Sequence, residues 1–143
     1  MLNAHLTSTS EVEVFVNLDD ELQIYSDEYR LKIIFNNLIS NALKFYRTRE
    51  PNKYLNFSYS ESNGFHTFEI EDNGTGIKKE LCSKVFNMFE RATDHKYGSG
   101  LGLYILKEAV EKLSGKVSIE SEYGKWTRFT IMLPILKKKQ MVM

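Results

Sequence analysis

The stretch Leu31-Lys32-Ile33-Ile34-Phe35-Asn36-Asn37-Leu38-Ile39-Ser40-Asn41-Ala42-Leu43-Lys44-Phe45-Tyr46 decides the fold. Leu31, Ile34, Phe35, Leu38, Ala42, Phe45 and Tyr46 recur at helical spacing and, at ~100° per residue, fill one continuous arc. An amphipathic helix with that arc on a core is the expectation. Ser26 or Asp27 can cap its start, and Glu28 suits the positive end of its dipole. Away from the arc, Asn37, Asn41 and Lys44 follow one another at one-turn spacing and share a polar stripe.

On the N-terminal side, Glu11 to Val16 and Glu21 to Tyr25 read as short strands separated by the turn-prone Asn17-Leu18-Asp19-Asp20, which predicts a first hairpin. On the C-terminal side, Pro51-Asn52 closes a connection, and Tyr54 to Tyr59 and Phe65 to Asp72 form a second hairpin through Ser62-Asn63-Gly64. A glycine-bearing loop, a short helix near Lys79 to Val85 and a polar stretch from Glu90 to Tyr97 follow. After Gly98 another helix places Leu103, Leu106, Val110 and Leu113 on one side and stops at Ser114-Gly115. Two last strands, Lys116 to Ser121 and Trp126 to Leu133, meet around Tyr123-Gly124, and Pro134 ends the pattern. Hairpins rather than strict βαβ alternation imply an α+β, two-layer α/β sandwich: a mixed sheet with helices on one face.

At 143 residues and 42% hydrophobic, the chain supports one domain with a real core. Residues 11–135 form that expected domain, with 1–10 a flexible segment and 136–143 a basic tail holding Lys137-Lys138-Lys139. Nineteen basic and nineteen acidic residues cancel, so charge makes no case for nucleic acid or an anionic membrane. Cys82 is the only cysteine, which excludes an internal disulfide and favours a reducing compartment, the cytoplasm. No apolar run approaches the ~20 residues of a membrane span, and Met1 to Ser10 lacks the pattern of a signal peptide.

Three constellations could carry chemistry. On the stripe, an amide oxygen is a hard ligand suited to Mg²⁺ and a lysine supplies a point charge for phosphate; an ordinary solvated helix face is the alternative. Asp72-Asn73-Gly74-Thr75-Gly76-Ile77 follows a strand in which His66, Phe68, Ile70 and Asp72 share a face. If Phe68 and Ile70 point inward, so does the Asp72 carboxylate, which then needs a donor. The alternative is a plain turn. An adenine amine would satisfy Asp72, a guanine carbonyl would be repelled, and Gly74 and Gly76 would let backbone approach the base. Gly98-Ser99-Gly100-Leu101-Gly102-Leu103 offers glycine backbone at a helix start, a setting for polyphosphate, although flexible loops and tight helix packing use glycine too.

In their order and spacing these motifs resemble the ATP-binding catalytic domains of sensor histidine kinases, in the superfamily shared with DNA gyrase, the Hsp90 chaperones and MutL. Asn37 to Phe45 is similar to the family's N box, Asp72 to Ile77 to its first glycine box, Phe86-Asn87-Met88-Phe89 to its F box, and Gly98 to Leu103 to its second glycine box. The resemblance spans Glu11 to Pro134 and implies a Bergerat-type ATP-binding fold. It implies that Asn41 holds Mg²⁺, that Asn37 and Lys44 contact phosphates, and that Phe45 lines the adenine pocket. Asp72 would read the adenine amine, with Gly74, Gly76 and Ile77 shaping the pocket. Gly98, Ser99, Gly100, Leu101, Gly102 and Leu103 would hold the phosphates under a lid over Glu90 to Tyr97. Arg91 and Lys96 are its candidate phosphate contacts, and Phe86 and Phe89 its hydrophobic anchors, Phe89 counted with the nucleotide-site residues. His66 and His95 read as incidental.

Within that superfamily the hydrolases carry a glutamate general base at the first N-box position. Asn37 stands there and cannot take a proton, and Lys44 stands where that branch places an acid. The resemblance therefore implies transfer to an external nucleophile, with Asn41 and Lys44 as catalytic residues, rather than hydrolysis. His5 lacks the helical context of a phosphoacceptor, so the acceptor would lie on a separate histidine-bearing domain, with a response regulator downstream. No nucleic acid and no direct membrane contact are expected. An anti-sigma-type serine kinase and a non-catalytic ATP-binding module remain open alternatives. Trp126 replaces the small residue the family carries in its last hairpin, which leaves that turn's geometry to be seen.

Overall fold

The computed structural model describes residues 12–44, 52–87 and 101–136. Among them are five strands and two α-helices: β1 (Val12–Asn17), α1 (Glu28–Lys44), β2 (Lys53–Ser62), β3 (Phe65–Asp72), α2 (Gly102–Lys112), β4 (Lys116–Glu122) and β5 (Trp126–Pro134). The strands form one mixed sheet in the order β1-β2-β3-β5-β4, and no helix among the described residues is long and apolar enough to cross a membrane.

The apolar arc of α1 lies on the sheet as its spacing requires. Ile34, Leu38 and Ala42 join Leu106, Ala109 and Val110 of α2 in one core with Leu55, Phe68, Ile70, Phe129, Ile131 and Leu133. Phe35 meets Phe57 and Phe68 edge-on, with centroids 5.4 and 5.1 Å apart, an arrangement that adds to the burial of their area. Asp27 is the helix cap, its Oδ1 accepting the Arg30 N–H at 3.2 Å. The other face of the sheet is polar. There Arg128 reaches Glu120 at 2.7 Å and Glu71 at 3.2 Å, and the Tyr54 hydroxyl donates to Glu71 at 2.9 Å.

The first hairpin does not form. β1 pairs in parallel with β2, Val12 opposite Lys53 and Asn17 opposite Ser58, so β1, α1 and β2 make a βαβ unit. The turn at Asp19 is present: Asp19 Oδ1 accepts from Glu21 N–H at 2.9 Å, and the Asp19 carbonyl accepts from Leu22 N–H at 3.0 Å. It directs residues 21–25 toward α1 instead of back along β1. Their alternation persists as an extended segment that packs Ile24 against the core. The crossover that parallel pairing needs is α1, which packs on the face that Val12 and Val14 present. The short helix expected near Lys79 to Val85 shrinks to a 3₁₀ turn, Lys79–Leu81.

The other two hairpins form. Asn63 and Gly64 take φ of 51° and 81°, the two left-handed residues of a type I′ turn. Gly124 takes φ of 84° and Lys125 N–H reaches the Glu122 carbonyl at 2.9 Å; Trp126 leaves this turn regular, its ring lying 5.2 Å from the Arg128 guanidinium. At the end of α2 it is Ser114, φ 59°, that takes the left-handed position. Gly115 is needed for space instead: a Cβ there would lie 2.4 Å from the Met132 carbonyl and 2.7 Å from Leu133 Cδ2. Gly115→Ala is expected to cost about 2–3 kcal/mol. Urea denaturation checks it, and an unchanged midpoint would show that α2 can shift freely.

Candidate functional site

Strand directions bring the end of α1, Asp72 and the start of α2 to one end of the sheet. α1 runs toward the start of β2, β3 returns to that start with Asp72 opposite Leu55, and β5 begins there with Thr127 opposite Asp72. α2 ends at the other pole, where Gly115 meets Met132 and Leu133, so its N-terminus lies at the pole of Asp72. A direct contact ties it to α1: a Cβ on Gly102 would stand 3.1 Å from Asn37 Oδ1.

On β3 the alternation holds. His66, Phe68, Ile70 and Asp72 are all buried, Asp72 at 7% exposure. Among the described residues the Asp72 carboxylate accepts one hydrogen bond, from Gly74 N–H at 2.8 Å. Burial pushes its pKa up to about 7; the Gly74 bond pulls the other way and the nearby Glu71 charge adds to the rise. A buried acceptor with one such bond has capacity for a further donor. His66 sits at the far end of the same face, 2.7 Å from the Tyr59 hydroxyl, away from the site.

Asn37 and Asn41 are both half-buried on α1. Asn37 Nδ2 donates to the Ile33 carbonyl at 2.8 Å, which leaves Oδ1 facing Gly102. Leu101 precedes α2 without a side-chain cap, and the first turn of α2 carries no acid. Among the described residues no side chain caps this helix start, which leaves its leading N–H groups without an intrahelical partner. Gly102, between Leu101 and Leu103, thus stands beside Asn37.

Gly76 has a reason that glycine spacing could not supply. With φ of 70°, it lies so close to the β4–β5 turn that a Cβ would stand 2.3 Å from the Glu122 carbonyl oxygen. It approaches backbone within the chain. Ile77 is buried, and its N–H donates to Ser121 Oγ at 2.7 Å. Asn73, which the sequence reading left without a role, ties the loop to β2: Oδ1 accepts Tyr54 N–H at 2.8 Å and Nδ2 donates to the Asn52 carbonyl at 2.7 Å. Phe86 meets Phe129 edge-on at 6.2 Å and fixes the chain after Val85 to the core. Phe45, Phe89, Arg91, Gly98, Ser99 and Gly100 lie outside the described residues, as do Tyr46, His5, His95 and Lys96; of Lys44 only its backbone, closing α1, is described.

Residues 26–137 match the family described as histidine kinase-, DNA gyrase B-, and HSP90-like ATPase, and the chain belongs to that family. It is 34% identical over 138 residues to the autoinducer 2 sensor kinase/phosphatase LuxQ of Vibrio parahaemolyticus, covering 92% of this chain and 16% of that protein. The chain thus spans about a sixth of that relative. Among solved structures, the mycobacterial sensor histidine kinase MprB superposes with a TM-score of 0.71 at 27% identity, over 87% of this chain and 83% of that one. Full-length ShkA, solved in complex with AMPPNP, gives a TM-score of 0.75 at 26% identity, over 88% of this chain and 26% of that one. The mixed five-stranded sheet with two helices is the fold of these kinase domains.

Proposed function

We propose that this chain holds Mg-ATP and donates its γ-phosphoryl group to a histidine on a separate phosphoacceptor domain, with a response regulator downstream. The observation that carries the reading is Asp72: a buried carboxylate at a strand end, pushed up to about 7 by burial and short of donors. Such a group fits the exocyclic amine of adenine, and AMPPNP in the ShkA complex is an ATP analogue. The uncapped start of α2 beside Asn37 suits the phosphates. Asn41, one turn beyond Asn37, offers an amide oxygen for Mg²⁺, and Lys44 a charge for the phosphates. Bound there, the ion would neutralise phosphate charge.

Transfer rather than hydrolysis rests on Asn37. Its amide has no proton to accept or release near neutral pH, and its Nδ2 is already committed to the Ile33 carbonyl. Water at this position lacks a general base from Asn37, and an amide and an ammonium on this stripe can only position and neutralise. The test supplies γ-labelled ATP and a histidine phosphoacceptor domain. Acid-labile label on the acceptor is the expected result. ATP binding without transfer to a cognate acceptor would overturn the kinase reading, and acid-stable label would replace histidine with serine.

A further inference from the structure

β3 leaves the sheet at Asp72, and the residues on either side of Asp72 are both fastened to one residue of β2. Asp72 stands opposite Leu55 in the last pair of the antiparallel ladder, so one further step would set Asn73 opposite Tyr54. The main chain does not take that step. Asp72 Oδ1 accepts Gly74 N–H at 2.8 Å, which closes an Asx-turn and carries the chain away from β2. The Asn73 side chain takes the step instead: Oδ1 accepts Tyr54 N–H at 2.8 Å and Nδ2 donates to the Asn52 carbonyl at 2.7 Å. A side-chain amide offers the same kinds of donor and acceptor as a peptide group, so the pairing with β2 continues after the backbone has turned.

Glu71 makes the second tie, on the polar face of the sheet. The Tyr54 hydroxyl donates to Glu71 Oε2 at 2.9 Å, and Arg128 holds Glu71 Oε1 at 3.2 Å. Burial first, then the hydrogen bond to Glu71 and its charge, push the Tyr54 pKa up to about 12, so the hydroxyl stays a donor throughout the neutral range. β1 lines the other edge of β2, with Glu13 opposite Tyr54. Tyr54 thus holds residue 71 through its hydroxyl and residue 73 through its N–H. Ties on both sides of Asp72 fix the roll of the strand end about its own axis, and with it the direction of the inward carboxylate.

We propose that Tyr54 and Asn73 are positioning residues for nucleotide binding: they bracket Asp72 and keep its carboxylate turned inward at the end of β3. This deepens the ATP reading above and rests on it. Neither residue acts by touching the nucleotide. With the bracket opened, the end of β3 can roll, the turn at Gly74 loosens and water reaches the carboxylate. The direction of the group is then lost together with the burial that raises its pKa.

The experiment measures ATP affinity by calorimetry between pH 5 and pH 9 for the unsubstituted chain, Asn73→Ala, Tyr54→Phe and Asp72→Asn, with circular dichroism to verify folding. Asn73→Ala is expected to weaken ATP about tenfold at pH 8 and to move the pH midpoint of binding down by about one unit. Titration of the phosphates is common to all the proteins and cancels in the comparison. A merely structural defect would weaken binding at every pH and leave the midpoint in place. Tyr54→Phe keeps the ring and the N–H, so it tests the bracket even if Asn73→Ala does not fold; a loss of about two- to fivefold at pH 8 is expected, with a smaller midpoint shift in the same direction. ATP affinity unchanged in either variant, or weakened with the midpoint unmoved, overturns the proposal. Asp72→Asn separates the two failures. If it retains ATP affinity, the ATP reading of this site falls and the bracket with it; if it loses affinity while Asn73→Ala and Tyr54→Phe do not, only the positioning role falls.

Discussion

Asp72→Asn is expected to yield a domain that is more stable than the original and no longer binds ATP. The two effects have one cause. The carboxyl is held up at about 7 by burial against an ordinary value of 3.8, so ionising it inside the fold is costly. Below about pH 4 the group is neutral in both folded and unfolded chains and costs nothing. As pH rises toward 7 only the unfolded chain ionises, which favours unfolding, and above 7 the full cost is present. An amide of the same shape keeps the acceptor for Gly74 N–H and avoids the charge. The gain is expected to be about 1–3 kcal/mol at pH 8, the amide's own buried N–H groups offsetting part of it. Thermal melts of both proteins at pH 5 and pH 8 check this, since the difference in Tm should widen with pH; a variant less stable at both values contradicts the account.

ATP affinity should fall by on the order of 100-fold or more in the same variant, because an amide NH₂ would face the adenine amine where a carboxylate accepted from it. In the unsubstituted chain, adenine binding favours the ionised carboxyl. Affinity for ATP should therefore weaken as pH drops below about 7, and binding near neutrality should release a proton, seen as a calorimetric heat that varies with the buffer's ionisation enthalpy.

The second large effect is expected at Gly76, and Gly124 supplies its control. Both have left-handed φ, 70° and 84°, so alanine at either pays a similar backbone penalty of about 1 kcal/mol. A Cβ on Gly124 meets nothing within 4 Å, whereas on Gly76 it would stand 2.3 Å from the Glu122 carbonyl oxygen and 2.9 Å from Tyr123 Cα. Backbone cannot rotate out of the way as a side chain can. Gly76→Ala is expected to cost about 3 kcal/mol or more in total and to displace the Asp72 loop, with ATP affinity lost. Gly124→Ala should stay near 1 kcal/mol and keep nucleotide binding. Urea titrations with and without ATP compare the pair; equal losses at the two positions would mean that the loop and turn part without cost.

What the sequence disclosed follows from the range of the interactions involved. The arc of α1, the Asn63-Gly64 turn and the inward set of β3 were readable because helical spacing, turn chemistry and strand alternation are local. Alternation in residues 21–25 was equally real and still misled, since it reports an extended chain with one face inward and not which strand becomes the partner. At the site, Asp72 was visible because Phe68 and Ile70 fix its side. The reason for Gly76 was not, because Glu122 is remote in sequence, and Ser121, which holds Ile77, was missed because serine is an ordinary residue of a strand. No pattern within either segment signals a hydroxyl that ties a strand and a loop together. Asn37 lay between the two cases: its stripe was legible, while the bond of Nδ2 to Ile33 that orients the amide required the helix itself.

The parallel pairing of β1 with β2 has a consequence for traffic into the domain. Val12 lies opposite Lys53, at the pole where Asp72 and Thr127 meet, whereas Pro134 leaves β5 at the opposite pole. Whatever polypeptide precedes Val12 is thus leashed to the pole of Asp72, and whatever follows Pro134 is led away from it. A group carried on the upstream leash would explore a small volume around that pole, at an effective concentration set by the leash's length rather than by how much protein is dissolved. Antiparallel pairing of β1 would have put Val12 at the same pole as Pro134.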